Sequence, residues 1–338
     1  MRRFGLLPLL VLVLAPSAAA SGPRATSWAQ PQIKTVTKAG LMGGDPASFR
    51  PDALLTRAAL AALVAGLTQD AATTPADPSA PVTMTQLDAA LVGALGLGDV
   101  ARTFADAARE AHLDPPARFG TEVVARLLGL RTDHPAAQDS LELLPGDPAT
   151  RAEAAYSAAR ILELGDYELD GVRAAATSFT LPALTQWQTA ILREAISFIG
   201  YPYVWGGTSE DAEAPFGVQA RGGFDCSGFV WRVYKLQSYA GAPRLGDVIR
   251  GRTTMEMSGE IAKARRIPAK GLAPADVLFF GSRGPRSSPA QVDHTAIYLG
   301  NGWFIHSSGY GVALAQLSWG YESSFAWARQ PLAEAGLR

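Results

Sequence analysis

The chain has 338 residues, 48% of them hydrophobic, and its 30 basic and 31 acidic residues give a formal net charge of −1. Proteins that bind nucleic acids usually carry a basic stripe, so this balance predicts no nucleic-acid partner. The length suits about two domains. A single cysteine, Cys226, cannot form an internal disulfide, so stability must come from packed hydrophobic cores.

The first 20 residues have the pattern of a cleavable signal peptide. A basic start precedes an apolar run from Phe4 to Leu14, and small residues lead to a cleavage site after Ala20. The apolar run is shorter than the roughly 20 residues that a membrane-spanning helix needs, and no later stretch qualifies. We therefore expect a secreted or cell-envelope protein with no membrane span after removal of the signal.

Residues 28–164 show a repeated helix-start pattern. Thr56-Arg57-Ala58 opens an apolar helix with Thr56 as its N-cap, and Thr150-Arg151-Ala152-Glu153 opens another. Between them, Val82-Thr83-Met84 begins a worn copy of the same pattern. The segment is therefore predicted to be an all-α domain of two recognisable repeats and one degenerate repeat.

These repeats resemble the S-layer homology domain, an exported module that docks on cell-wall polymers. The resemblance implies that Arg57 and Arg151 hold an anionic secondary cell-wall polymer. In the first copy, Ala59 stands where the family prefers glutamate, which departs from the family's binding motif. An alanine-rich helical spacer without a ligand is the alternative interpretation.

Residues 165–185 lack clear periodicity and contain Gly171 and Pro182, so an interdomain linker is predicted there. A helix is expected from Gln186 to about Phe198, and it opens a second domain over residues 186–335. Buried strands are predicted over 276–281, 293–300, 303–307 and 312–314, with a tight turn at Asn301-Gly302.

Cys226 lies in the segment Phe224-Asp225-Cys226-Ser227-Gly228, just before a helix predicted over residues 227–236. Unpaired N–H groups and the macrodipole at a helix N-terminus favour an anion, and the thiolate is the nucleophilic form of cysteine. Cys226 is therefore a candidate nucleophile.

Two histidines complete the candidate site. His294 and His306 fall on adjacent predicted strands across the Asn301-Gly302 turn, so their imidazoles can face each other. His294 would accept the thiol proton, and His306 would orient the imidazole of His294. The backbone N–H of Cys226 and the hydroxyl of Tyr203 are candidate donors to the oxyanion.

This set resembles the NlpC/p60 family of cell-wall endopeptidases, on Pro202-Tyr203-Val204-Trp205-Gly206-Gly207, the Asp225-Cys226-Ser227 motif, and the spacing of His294 and His306. The resemblance implies an α+β, papain-like domain and the catalytic roles given above. It also implies substrate contacts for Asp225 and Ser227. The implied substrate is the peptidoglycan stem peptide, cut between γ-D-glutamate and a diamino acid.

Three alternatives stay open at this level. The same Cys-His frame serves amidases and acyltransferases, and a silent peptidase domain would leave a wall-binding structural protein. Cys226 and the two histidines are also zinc-ligand types, but zinc sites favour three or four ligands with closer Cys or His pairs. We expect no metal and no cofactor.

The chain departs from the family pattern at two places. Residues Thr208 to Gly222 form an insert with three acidic residues between the two motifs, where the family has a short turn. This insert is predicted to border the cleft. The second departure is Ala296, at a position where the family favours glycine.

Overall fold

The computed structural model describes residues 26–43, 45–133, 142–212 and 220–337, so the predicted signal peptide lies outside the described residues. The helices are α1 Gln30–Lys38, α2 Arg57–Thr68, α3 Met84–Ala94, α4 Gly98–Glu110, α5 Phe119–Leu127, α6 Arg151–Glu163, α7 Asp166–Ser178, α8 Gln186–Ser197, α9 Cys226–Trp231, α10 Thr254–Gly259 and α11 Pro331–Glu334. The strands are β1 Thr208–Ser209, β2 Gly223–Phe224, β3 Val277–Gly281, β4 Val292–Gly300, β5 Trp303–Ser308, β6 Gly311–Gln316 and β7 Phe325–Arg329. Within the described residues, no helix is long and apolar enough to cross a membrane.

Threonine caps start three helices of the N-terminal part. The hydroxyl oxygens of Thr56, Thr83 and Thr150 accept hydrogen bonds from the third backbone N–H of α2, α3 and α6, at 3.2 to 3.3 Å. Each cap satisfies one of the N–H groups that a helix leaves unpaired at its start. The predicted cap at Thr56 is thus confirmed, and the worn copy starts its helix in the same way.

The residues just before these caps join the three repeats in a closed ring of backbone hydrogen bonds. Leu55 N–H donates to Ala149, Ala149 N–H to Val82, and Val82 N–H to Leu55, at 2.8, 2.8 and 3.0 Å. The first N–H groups of α2, α3 and α6 likewise donate to the neighbouring repeat. This threefold arrangement explains why the worn copy keeps its place although its arginine is replaced by Met84.

The predicted linker over residues 165–185 needs correction, because Asp166–Ser178 forms helix α7. The side chain of Glu168 accepts a hydrogen bond from the N–H of Gly165 and so holds the start of this helix. Phe179, directly after it, is 2% exposed and packs on Phe104 and Trp303 at ring distances of 5.3 and 5.1 Å. Small alanine side chains on the buried face of α7 masked its periodicity.

A five-stranded antiparallel sheet in the order β6-β5-β4-β3-β7 forms the centre of the C-terminal part. Four of its strands match the predicted ones to within a few residues, and β4 and β5 are joined by the predicted Asn301-Gly302 turn. The fifth, β7, was not predicted from the sequence. It pairs with β3 and completes the edge of the sheet.

The two faces of the sheet have different neighbours. One face, including Phe279, Ile297 and Ile305, belongs to a hydrophobic core that runs without a break into the N-terminal helices. The other face, including Phe280 and Phe304, forms a smaller cluster under Tyr321. The helical part and the sheet therefore share one core rather than two separate ones.

A buried arginine reinforces this junction. Arg126 on α5 is 4% exposed, and its guanidinium bonds the carboxylate of Glu142 at 2.7 and 3.1 Å. The same guanidinium donates to the carbonyl of Gly200 at 2.6 Å and to that of Tyr310. Both carbonyls belong to segments that lead into the candidate site, so Arg126 ties the helical part to that site.

Replacing Asp276 with asparagine is expected to stabilise the protein more at pH 8 than at pH 5. Burial raises the pKa of Asp276 to about 7, so its ionisation costs stability as the pH rises from about 4 through 7. Asparagine cannot ionise, and its oxygen can still accept the N–H of Ala273, now bonded at 2.9 Å. Urea denaturation of both proteins at the two pH values measures the effect, and an equal stability difference at both would contradict it.

Candidate active site

Cys226 is the first residue of helix α9, which begins one residue earlier than the predicted helix and keeps Cys226 at its N-terminus. Asp225 caps the helix, and its Oδ1 accepts hydrogen bonds from the N–H of Gly228 at 2.5 Å and the hydroxyl of Ser227 at 3.1 Å. The predicted helix over 227–236 changes after Trp231 into a π-helical turn over Arg232–Leu236. The N–H of Cys226 is among the first of this helix, which have no partner inside it.

The sulfur of Cys226 is packed against strand β4. The backbone N–H groups of Thr295 and Ser227 lie close enough to lower the pKa of its thiol, and the first of these places it next to His294. Burial, with a smaller contribution from the carboxylate of Asp225, raises the pKa of the thiol to about 12. The two N–H groups and Arg252 oppose this rise. The thiol is therefore neutral at physiological pH before a substrate binds.

His294 and His306 lie on β4 and β5 and contact each other, with Nε2 of His294 2.8 Å from Nδ1 of His306. The predicted facing of the two imidazoles is confirmed by this distance. If Nε2 of His294 carries the hydrogen of this bond, Nδ1 of His294 is left free to accept a proton. The pair can thus fix the orientation of the His294 ring.

Aromatic rings enclose the two histidines. Phe280 lies 5.7 Å from His294, while Phe304 and Tyr321 lie 5.1 and 5.7 Å from His306, measured between ring centroids. Burial lowers the pKa of His294 to about 4 and that of His306 well below its usual range. Both imidazoles are neutral at pH 7, so His294 can act as a proton acceptor.

Tyr203 lies in a segment that pairs with the residues before Cys226. Phe224 N–H donates to the carbonyl of Pro202, and Val204 N–H donates to that of Phe224, both at 3.1 Å. Burial raises the pKa of Tyr203 to about 12, and the nearby Cys226 and Asp225 add to this rise. Tyr203 therefore keeps its proton and can donate it in a hydrogen bond near the sulfur.

Arg252 is a site residue that the sequence motifs did not indicate. It donates to both carboxylate oxygens of Asp225 at 3.1 and 3.0 Å, and to the hydroxyl of Ser227 at 2.7 Å. Asp225 also accepts the N–H of Gly206 at 2.9 Å. Arg252 lies outside the motifs that the sequence shows, and folding of the chain brings it to the site. Asp225 and Ser227 thus form one bonded cluster with it beside the nucleophile.

The described ends of the insert over Thr208–Gly222 are bound to other parts of the protein. Glu210 accepts hydrogen bonds from Arg232 at 2.8 and 2.7 Å, and Arg221 pairs with Asp147 of the helical part at 2.9 Å. Its residues 213–219 lie outside the described residues. That this insert borders the cleft stays a prediction.

The two predicted wall-polymer residues differ in their surroundings. Arg57 is exposed and lines a groove of about 570 Å³ between α2 and α3, where it donates to the carbonyl of Ala76 at 3.2 Å. Arg151 is half-buried, stacks on the ring of Phe49 at 4.4 Å, and donates to its carbonyl at 2.9 Å.

The described residues include no group of three or more His, Cys, Asp or Glu side chains arranged for a metal ion.

Alkylation of Cys226 by iodoacetamide is expected to accelerate about tenfold per pH unit between pH 6 and pH 10. Only the thiolate reacts, and below the thiol pKa the thiolate fraction rises tenfold with each unit. Mass spectrometry measures the rate without ambiguity, because the sequence contains one cysteine. A rate that is constant over this range would show instead that the thiolate already exists in the free protein.

Comparison with known proteins supports the interpretation of both parts. Residues 200–329 match the model of the NlpC/P60 family, and residues 23–61 match that of the S-layer homology domain. The chain therefore carries an NlpC/P60 domain. Its α+β class, with an N-terminal helical part, is as predicted from the sequence.

Two curated relatives and one solved structure illustrate the similarity. The gamma-D-glutamyl-L-lysine dipeptidyl-peptidase of Bacillus subtilis (strain 168) is 29% identical over 151 residues, 44% of this chain and 42% of the relative. Murein DD-endopeptidase MepH of Escherichia coli (strain K12) is 33% identical over 143 residues, 41% of this chain and 44% of the relative. The crystal structure of the NlpC/p60 domain of peptidoglycan hydrolase SagA is 29% identical, with a TM-score of 0.30, and covers 42% of this chain and 97% of that chain. The chain thus spans less than half the length of both curated relatives.

Proposed function

We propose that this protein is a cysteine peptidase that hydrolyses peptidoglycan stem peptides. The observation that carries the proposal is the position of Cys226, at the start of α9 and close to the N–H of Thr295, the residue after His294 in the hydrogen-bonded pair of His294 and His306. A nucleophile, a neutral base and a residue that orients the base are the parts that acyl transfer requires. The names of the two curated relatives support peptidoglycan as the substrate.

The first half-reaction forms an acyl-enzyme. His294 takes the thiol proton as the sulfur of Cys226 attacks the carbonyl carbon, which converts the carbonyl oxygen to an oxyanion. The N–H of Cys226 and the hydroxyl of Tyr203 donate hydrogen bonds to that oxyanion. The C–N bond then breaks, and the proton on His294 passes to the leaving amine, so a thioester and a free amine result.

The second half-reaction releases the acyl group. His294 removes a proton from a water molecule, whose oxygen attacks the thioester carbon. The C–S bond breaks, a carboxylic acid leaves, and the proton returns to the thiolate. His306 holds the ring of His294 in position through both halves.

We infer that the bond cleaved joins γ-D-glutamate to a diamino acid. One relative is named for a γ-D-glutamyl-L-lysine bond and the other for a DD-endopeptidase activity, so the relatives themselves divide between two bonds. The cluster of Asp225, Ser227 and Arg252 is the proposed contact for substrate beside the nucleophile. Its guanidinium is paired with Asp225, so the cluster offers the substrate polar hydrogen-bonding groups rather than an unpaired positive charge.

The N-terminal helical part is proposed to hold the enzyme at the cell wall. Its support is the S-layer homology match over residues 23–61 and the exposed guanidinium of Arg57 on a groove. The half-buried Arg151 would contribute from the base of α6. Attachment to wall polymer raises the local concentration of the enzyme at its substrate. We further propose export by the signal peptide at residues 1–20.

Digestion of purified peptidoglycan fragments tests this function. The mature protein and its Cys226→Ala variant are each incubated with the fragments, and the products are identified by mass spectrometry. We expect cleavage between γ-D-glutamate and the diamino acid that is lost in the variant. Intact stem peptides freed from glycan would indicate an amidase, and products that require an added amine acceptor would indicate an acyltransferase. Binding of the fragments without cleavage by either protein would favour a silent wall-binding protein.

A further inference from the structure

A cleft of about 460 Å³ lies between the helical part and the sheet, and we call it the interdomain cleft. Tyr156 and Arg160 of α6 line one side, and residues of β5, β6 and the following turn line the other. His306 is part of the second wall, so the cleft adjoins the candidate active site. Its volume is in the range of sites that hold small ligands.

Aromatic side chains are unusually exposed in this cleft. Tyr310 is 58% exposed and Trp319 is 43% exposed, although burial of such large aromatic side chains would stabilise the fold. Trp319 is held by an edge contact with the buried Trp303, at 5.2 Å between ring centroids. Rings that are anchored yet open to solvent offer flat apolar surfaces to a ligand.

Hydroxyl groups converge on the same space. The phenol of Tyr310 interacts with those of Tyr156 and Tyr321 closely enough to raise the pKa of each beyond the effect of burial. Ser308 adds an aliphatic hydroxyl to the lining. The cleft therefore combines apolar ring faces with several neutral groups that both donate and accept hydrogen bonds.

The cations at the cleft already have anionic partners. Arg160 has Glu163 and Glu168 at 3.7 Å each and donates to the carbonyl of Leu128 at 3.0 Å. Arg126 is bonded to the carboxylate of Glu142. A charged ligand would gain little from such paired cations, whereas a neutral ring with hydroxyls and an apolar face would match the lining.

We propose that the interdomain cleft binds a pyranose ring of the glycan strand, so that the protein prefers stem peptides still attached to sugar. This inference rests on the proposed function. The bond assigned above lies two residues from the muramic acid sugar, and two extended α-linked residues span about 7 Å, to which the γ-linkage of D-glutamate adds further length. The cleft begins at His306, whose ring centroid lies 5.0 Å from that of His294, so this length of substrate suits a sugar in the cleft and a scissile bond at the site.

Binding to the inactive Cys226→Ala protein tests the proposal without turnover. Isothermal titration compares a disaccharide tetrapeptide, N-acetylglucosaminyl-N-acetylmuramyl with a diaminopimelate stem, against the same tetrapeptide without sugar. We expect the disaccharide form to bind at least tenfold more tightly. Adding Trp319→Ala or Tyr310→Ala should reduce that ratio about tenfold. Tyr167→Ala, which changes an 89% exposed tyrosine outside the cleft, should leave the ratio unchanged.

The outcomes separate this proposal from the proposed function. Equal affinities for the two ligands would overturn it, as would Trp319→Ala weakening both ligands by the same factor, because the cleft would then act on the peptide alone. Cleavage of the free and the sugar-linked peptide by the wild-type protein is measured in parallel. If the protein cuts stem peptides without a sugar preference, only the proposal that the cleft binds sugar is contradicted. If the protein cuts neither peptide but binds the disaccharide form preferentially, only the proposed peptidase activity is contradicted.

Discussion

Replacing His294 with alanine is expected to reduce kcat/KM for stem-peptide cleavage by about 10³- to 10⁴-fold. The thiol of Cys226 has a pKa of about 12, so the free protein holds almost no thiolate at pH 7. Attack then depends on a base that takes the proton during the reaction, and His294 is a neutral imidazole directly before Thr295, whose N–H lies close to the sulfur. Loss of a positioned general base costs up to about 10⁴-fold.

His306 acts on the reaction through His294, so its replacements should have smaller and graded effects. His306→Asn keeps a hydrogen-bond acceptor near the position of Nδ1, whereas His306→Ala removes the 2.8 Å contact altogether. We expect about a tenfold loss for asparagine and about a hundredfold loss for alanine. The loss should fall on kcat, because the contact stabilises the imidazolium that forms during the reaction.

Steady-state kinetics over pH 5 to 9, with circular dichroism as the folding control, measure all three variants. If alanine and asparagine at position 306 gave equal losses, His306 would have a packing role only. If His294→Ala kept more than a tenth of wild-type activity, the proton would leave Cys226 by another route. Free thiolate formation is then the remaining explanation, and alkylation kinetics of Cys226 in the same variant would detect it.

The parts of the site that sequence reasoning located are those held by local structure. Cys226 at a helix start depends on the cap at Asp225, and the facing of His294 and His306 depends on the turn at Asn301-Gly302. Both features follow from residues that are close in sequence. The repeated threonine caps of the helical part were recognisable for the same reason, since each cap involves only four consecutive residues.

Long-range features were not accessible in the same way. Arg252 and Asp225 are 27 residues apart in the sequence, and Arg126 and Tyr310 are 184 apart, so no local sequence pattern predicts either contact. Helix α7 was missed because its buried face is built from alanines such as Ala175 and Ala176, which contrast little with their neighbours. The consequence is a shared core where the sequence suggested two domains and a linker.

Replacing Arg126 with methionine is expected to lower the free energy of unfolding by about 3–5 kcal/mol. Methionine keeps the apolar stem, but it removes one of the two cations bonded to the carboxylate of Glu142, which is 3% exposed and then keeps only Arg131. Removing one partner of a buried ion pair costs this much because the remaining charge stays buried. The carbonyls of Gly200 and Tyr310 also lose their donor.

A matched control separates burial from charge. Arg109→Met breaks the pair of Arg109 with Asp106, whose side chains are 56% and 60% exposed, and exposed pairs contribute about 1 kcal/mol or less. Urea denaturation of both variants gives the two losses directly. The double variant Arg126→Met with Glu142→Gln should recover part of the loss, since it removes a buried negative charge that has lost one of its two cations. Equal losses for Arg126→Met and Arg109→Met would contradict the structural role of the buried pair.

Arg126→Met should also lower activity under conditions where the variant is fully folded. The carbonyl of Gly200 begins the segment that carries Tyr203, and Tyr310 lies in the turn after the strand that carries His306. Misplacement of such groups by about 1 Å can cost a hundredfold in rate. We expect kcat to fall about tenfold with KM little changed at 15 °C. Unchanged kcat and KM would mean that the helical part stabilises the sheet without positioning the reacting residues. A rise in KM with unchanged kcat would instead assign Arg126 to substrate binding at the cleft.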